Sequence, residues 1–264
     1  MHAPRDSKFN SRGSAPAAQR PVLLVLHQEL STAGRVGQYL TRHGVPLDIR
    51  RPRLGDPLPE TLAGHGGAVI FGGPQSANDT DEFVRREIDW IAVPLAEKKP
   101  FLGICLGAQM LAKHLGARVS PHAEGKAEVG YYPIRLTEHA HDVCGDWPDM
   151  VYQWHREGFE LPHGAKLLAE GDIFQVQAMR CGPAAYGIQF HAEVTHAMMC
   201  RWTTRGYARM ELPGAKKRDA HFAERPVYDV AIRKWLATFL QAWLAADAAA
   251  ADAAVACSAA AATS

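Results

Sequence analysis

Cys105 stands between two glycines in "LGICLGAQ" (102–109), where an apolar run ends and helical spacing begins. A cysteine at a strand-to-helix turn projects above the sheet edge. The helix that follows aims its N-terminal dipole at the sulfur, which favours thiolate. Gly103 and Gly107 are the small residues such a bend requires, in the manner of a G-x-S-x-G nucleophile elbow with sulfur in place of oxygen. By itself the pattern fits a small buried cysteine equally well. A thiol that attacks an amide also needs a general acid for the departing amine. "YGIQFHAEV" (186–194) supplies one: an apolar strand ends at Phe190, His191 follows, and Glu193 can turn back to fix the imidazole tautomer and stabilise its cation. Alone, His191 reads as a strand-end surface histidine; beside Cys105 and Glu193 the catalytic reading prevails. "FGGPQSAND" (71–79) follows a further apolar run, and its glycines can turn the backbone toward the same place. Gly73 and Leu106 are therefore the expected oxyanion donors.

These residues need a scaffold that brings several strand ends together. "PVLLVLHQ" (21–28), "VPLDIRRP" (45–52), "GAVIFGGPQ" (67–75) and "PFLGIC" (100–105) read as short buried strands. Helical spacing fills the gaps at 33–44, 81–99 and 106–117. This alternation predicts an α/β protein with an open, mostly parallel sheet and helices on both faces. From about 118 to 195 the runs are short and strand-like, which predicts β structure extending the same sheet; helices follow at 196–210 and 228–246. Trp235, Phe239 and Trp243, four apart, form a packing stripe. The expected organisation is a disordered arm over 1–20, a single domain over 21–245 and an Ala-rich tail over 246–264.

The chain has 264 residues, 29 basic and 28 acidic, for a formal net charge of +1. That balance makes no electrostatic case for nucleic acid or an acidic membrane. No apolar run is long enough to cross a bilayer. Five widely spaced cysteines without a CxxC pair argue against a disulfide framework or a zinc ribbon and fit a reducing, cytoplasmic setting. "EHAHD" (138–142) offers His139 and His141 without a persuasive third ligand, so no metal is expected there. His114, His196 and His221 read as surface residues.

Taken together, "GICLGAQ", "FGGPQSAND" and "AYGIQFHAEV" resemble the class I, or triad, glutamine amidotransferases, in the family's order and over roughly 21–210. The closest resemblance is to stand-alone proteins similar to the amidotransferase domain of GMP synthetase. "GKAEVGYYPI" (125–134) and "QWHREGF" (153–159) fit the same subgroup. The resemblance implies a flavodoxin-like architecture and a glutaminase half-reaction that uses no cofactor. Cys105 is the implied nucleophile, His191 the proton carrier and Glu193 its orienting carboxylate. It also implies that Gln109, Trp154 and His155 contact the substrate. Where the family has His-Pro-Glu, this chain has Ala192, which can adopt the same φ at some entropic cost. Amidotransferases hand ammonia to a synthetase, and no G-x-x-x-x-G-K-[ST] loop occurs in this sequence. Two expectations follow: a glutaminase that acts alone, or one that feeds a separate synthetase partner.

Two rival readings share these residues. One is a hydrolase of γ-glutamyl peptides or conjugates, which differs in what the amide nitrogen carries. The other is a non-catalytic binding or regulatory protein that keeps the fold.

Overall fold

The computed structural model describes residues 19–261. The arm expected over 1–20 lies outside the described residues except for its last two, as do 262–264 at the end of the tail. In chain order the elements are β1 (Val22–Val25), α1 (Gly34–Arg42), β2 (Leu47–Arg50), β3 (Gly67–Ile70), α2 (Glu82–Trp90), α3 (Ala92–Ala96), β4 (Phe101–Ile104) and α4 (Leu106–His114). There follow β5 (Val119–Pro121), β6 (Glu128–Pro133), β7 (Arg135–Leu136), β8 (Met150–His155), β9 (Glu157–Phe159), β10 (Lys166–Glu170), β11 (Val176–Cys181), β12 (Ala185–Ile188), α5 (His196–Arg205) and α6 (Arg218–Ala261).

The main sheet has eight strands in the order β2-β1-β3-β4-β12-β11-β10-β7. The first five run parallel and the last three are antiparallel additions. Side chains alternate across it. Val22, Leu24, Leu102 and Ile104 face a core shared with α1 and α6, whereas Leu23, Val25 and Phe101 face one shared with α2 and α4. Both faces of these strands are covered, which is why they read as continuous apolar runs. The stripe on α6 packs as expected. Trp235 and Phe239 stack at 5.2 Å, Phe239 meets Tyr186 edge-on, and Trp243 lies against Gly67.

Three expectations are corrected. The helix expected over 81–99 is two helices, because Pro94 has no N–H to donate to the carbonyl four residues earlier. Not all of the β-rich half joins the sheet. The pairs β5–β9 and β6–β8 form separate two-stranded antiparallel sheets, the second burying Tyr131 and Tyr152 in the core shared with α6. His221 is fully buried, hydrogen-bonded to the Tyr152 hydroxyl and the Lys216 carbonyl. Burial lowers its pKa, which keeps the imidazole neutral. The Ala-rich stretch continues α6 to Ala261. Among the described residues no helix is long and apolar enough to cross a membrane.

Candidate active site

The register of the central strands decides where the chemistry-bearing residues meet. β4 and β12 are parallel neighbours with Ile104 opposite Ile188, and the ladder continues one step through the Cys105 N–H to the Ile188 carbonyl (2.8 Å). The segments leaving both strands, toward Cys105 and His191, therefore emerge side by side at the carboxyl edge. β3 pairs with β4 through Ile70 and Gly103, so the loop after β3 arrives beside Cys105. Such a crevice beyond the carboxyl ends of parallel strands is where open α/β sheets hold ligands.

Cys105 joins β4 to α4 with φ 51° and ψ −103°, one of two non-glycine residues among those described with positive φ. This is backbone strain held by its surroundings, of the kind that clusters at active sites. The flanking glycines have a steric reason. A Cβ on Gly103 would lie 2.4 Å from the Gly107 carbonyl oxygen, and one on Gly107 would lie 2.1 Å from that of Ile70. Gly107→Ala is accordingly expected to cost about 3 kcal/mol or more, a mechanism of overpacking against backbone. Thermal denaturation should show it as a fall of roughly 6–12 °C. Cys105→Gly, which relieves the positive φ, is expected to be more stable than Cys105→Ala by about 1 kcal/mol. Paired denaturant titrations of the two variants measure that difference.

Cys105, His191 and Glu193 are all buried, with 6%, 4% and 2% of their surface exposed. His191 donates from Nδ1 to Glu193 Oε1 at 2.8 Å, and its other face is within hydrogen-bonding reach of the Cys105 sulfur. Burial opposes the imidazolium, but the charges of Glu193 and Cys105 outweigh it and hold the pKa at about 10. The arrangement is a thiol, an imidazole and a carboxylate in series, able to carry a proton between sulfur and a ligand. The Leu106 N–H is the first of α4 and has no acceptor within its helix. The Gly73 N–H donates to no group among the described residues. Gly72 is the glycine nearest the imidazole, with room for no Cβ: it would sit 2.7 Å from His191 Cε1.

These groups open onto a cavity of about 470 Å³ lined by Gly72, Gly73, Cys105, Trp154, His191 and Glu193, among others. Gln109 and His155 are not among the residues that line it. Gln109 donates to the Glu157 carbonyl (2.8 Å) and to Gln189 Oε1. His155 is bonded through Nδ1 to the same carbonyl and through Nε2 to Glu128. Adjacent residues on a strand point to opposite faces, so β8 can present Trp154 to the cavity only by turning His155 away from it.

Several wall residues escape motif reading. Trp202 sets its ring edge-to-face with His191 at 4.8 Å. Arg201, Arg205 and Arg209 line the cavity from the segment spanning α5 and the turn after it. Burial lowers the Arg209 pKa, opposed by the negative charge of Cys105, which places that guanidinium within electrostatic reach of the sulfur. Arg201 and Arg205, four apart on α5, share one helical face, and Arg209 follows in the turn after Gly206. His27 sits behind the Gly72–Gly73 loop, fully buried, with Nε2 2.7 Å from Glu87 and Nδ1 3.2 Å from the Gly72 carbonyl. Only the folded chain brings these together, because 45 residues separate His27 from Gly72.

Residues 29–202 match the family described as glutamine amidotransferase class-I. The chain is 32% identical over 183 residues to the glutamine amidotransferase-like protein YfeJ of Salmonella typhimurium, covering 66% of this chain and 76% of that one. It is 31% identical over 147 residues to a glutamine-hydrolyzing GMP synthase subunit of Methanoregula boonei, covering 54% and 73%. The crystal structure of a glutamine amido transferase from Methylobacillus flagellatus superposes with a TM-score of 0.80 at 23% identity, covering 86% and 95%, which is a likeness of fold.

Proposed function

The chain belongs to the class-I glutamine amidotransferase family, and from that premise we propose that it hydrolyses the side-chain amide of glutamine through Cys105, His191 and Glu193. The observation that carries this reading is Cys105 itself, strained at the end of β4 with the His191–Glu193 pair beside it. The Cys105 thiolate adds to the amide carbonyl, and the N–H groups of Leu106 and Gly73 receive the oxyanion. His191, held as the cation by Glu193, protonates the departing nitrogen, so the C–N bond breaks as ammonia leaves. A γ-glutamyl thioester remains on Cys105. Neutral His191 then takes a proton from water, whose oxygen attacks the thioester; glutamate leaves and the thiolate–imidazolium pair is restored.

Trp154 forms part of the wall against the substrate. Gln109 and His155 act from behind it, both anchored on the Glu157 carbonyl where β9 begins. The name of the Methanoregula relative, a subunit of GMP synthase, supports the reading that released ammonia passes to a separate synthetase chain. Unpaired Cys105, Cys144, Cys181 and Cys200 suit a reducing, cytoplasmic compartment.

A second reading, hydrolysis of γ-glutamyl peptides or conjugates, draws support from the cavity. Its 470 Å³ falls in the range of drug-sized ligands, larger than the ten non-hydrogen atoms of glutamine require. Purified protein turning over glutamine beside a panel of γ-glutamyl peptides, with glutamate and ammonia both measured, separates the two. Equal release of glutamate and ammonia from glutamine is expected. Turnover of the peptides alone would replace the first reading with the second. Absence of any turnover, together with failure of a glutamine-analogue electrophile to label folded protein at Cys105, would overturn both in favour of a binding role.

A further inference from the structure

A second cavity, of about 560 Å³, lies on the other side of the triad segment, between α1 and α6. Its wall carries four arginines: Arg35 and Arg42 from α1, and Arg225 and Arg233 from α6. Seven residues, or two turns, separate the first pair, and eight separate the second, so each helix presents both of its guanidinium groups on one face. No carboxylate lines the cavity. The acid that answers this charge is Asp229, buried and bonded to three of them: Arg35 at 2.7 Å, Arg225 at 3.1 Å and Arg233 at 3.8 Å. The Arg42 guanidinium has no hydrogen bond or ion pair among the described residues, and Nε of Arg225 is buried without an acceptor. Four positive charges around one negative charge leave a formal excess of three in a concave site. A buried donor without an acceptor is a cost that an anion would remove.

The same arginines reach the triad. The Arg35 N–H donates to the Glu193 carbonyl at 2.9 Å, and its guanidinium donates to that of Ala192 at 3.4 Å as well as to Asp229. Thr195, two residues beyond Glu193, lines the second cavity, while His191 and Glu193 line the first. The segment 191–195 is thus a partition between two cavities, and Arg35 braces it where Ala192 stands in place of the family's proline.

We propose that the cavity between α1 and α6 binds a small anion with two adjacent phosphates, and that its occupancy alters the reactivity of the triad through Arg35. Guanidinium forks match phosphate oxygens two at a time, and arginines facing from two helices suit two linked phosphates better than one. An anion held by Arg42, Arg225 and Arg233 competes with Asp229 for the last two of these cations. That changes how firmly Asp229 holds Arg35, and hence the carbonyls of Ala192 and Glu193. The coupling equals the difference in anion affinity between the two arrangements of the partition.

Inorganic pyrophosphate is the probe, titrated calorimetrically into the full chain at about 150 mM salt, a screening length of about 8 Å. Saturable binding is expected, weakened at least tenfold in the double variant Arg42→Ala/Arg233→Ala, which touches no group of the proposed reaction. The rate at which iodoacetamide alkylates Cys105 is expected to change at least threefold on adding pyrophosphate to the wild type and not in the double variant. Alkylation needs no glutamine turnover, so this test stands apart from the proposed reaction. No saturable binding, or equal affinity in the double variant, overturns the site. Binding with an unchanged alkylation rate overturns the coupling.

Discussion

Cys105→Ala is expected to lower glutamine turnover by about 10⁴-fold or more, to the residual rate that binding and the oxyanion donors supply, while leaving the fold intact. Removing the nucleophile of a triad eliminates the covalent route, and partners that act as a unit do not compensate one another. Oxyanion donors at Leu106 and Gly73 can still polarise a bound amide, but water positioned by His191 is a far weaker attacking group than thiolate. The structural cost should be small. The substitution removes one sulfur atom from a site already open to the cavity, and alanine keeps the backbone at the same φ of 51°. A thermal midpoint within about 4 °C of wild type, corresponding to roughly 1 kcal/mol, is expected. Assaying ammonia and glutamate on the folded variant decides the matter: retained turnover would remove Cys105 from the mechanism and send the search for a nucleophile elsewhere.

Glu193→Gln should reduce turnover by about 10² to 10⁴-fold and should also reshape its pH dependence. In the wild type the folded-state pKa of His191, about 10, lies above the ordinary 6.5, despite burial, because Glu193 and Cys105 are beside it. The imidazolium that protonates departing ammonia therefore persists through neutral pH, and the alkaline limb of turnover is expected near pH 10. The linkage has the same sign. A pKa raised by folding contributes stability that is fully present below about 6.5 and is lost as the pH rises through about 10. Replacing the carboxylate with a neutral amide leaves burial, which favours neutral imidazole, opposed by the Cys105 charge alone. The alkaline limb of the variant should move to lower pH, and so should the upper end of its stability window. Rate profiles and thermal midpoints from pH 6 to 10.5 measure both. Unshifted limbs would show that Glu193 does not control the charge on His191.

Much of this is legible in residue order, for identifiable reasons. β1, β3 and β4 are short apolar runs, the first opened by Pro21 and the others closed by Gly72 and Cys105, and a strand buried on both faces has that appearance whatever surrounds it. The elbow is legible because a sharp strand-to-helix bend tolerates little besides glycine at its flanks, and Gly103 and Gly107 meet backbone oxygen where any Cβ would stand. His191 and Glu193 are two residues apart, so their hydrogen bond is a local event. The failures also have a common character. His221 reads as a surface residue because a polar side chain does not reveal which partners will satisfy it; Tyr152 and Lys216 do so in the core. Which of Trp154 and His155 reaches the cavity is set by strand alternation in β8 and not by either residue type. The β5–β9 and β6–β8 ribbons are short strand-like runs like β10 and β11 of the main sheet, and nothing local to them specifies which edge they join.

Sequence alone therefore determined the alternation of strands and helices, the bend at Cys105 and the chemistry available to a cysteine followed at distance by His-x-Glu. Each of these is set by sterics and hydrogen bonds among residues a few positions apart. The tertiary structure decided what those residues face. The parallel register of β4 with β12 put Cys105 beside His191 across 86 positions of chain. The folding of α5 over the crevice added Trp202 and the arginines, and the packing of α1 on α6 gathered four guanidinium groups at one cavity, three of them bonded to Asp229. Contacts of that kind depend on which surfaces are buried together, and burial is a property of the whole packed chain rather than of any stretch within it.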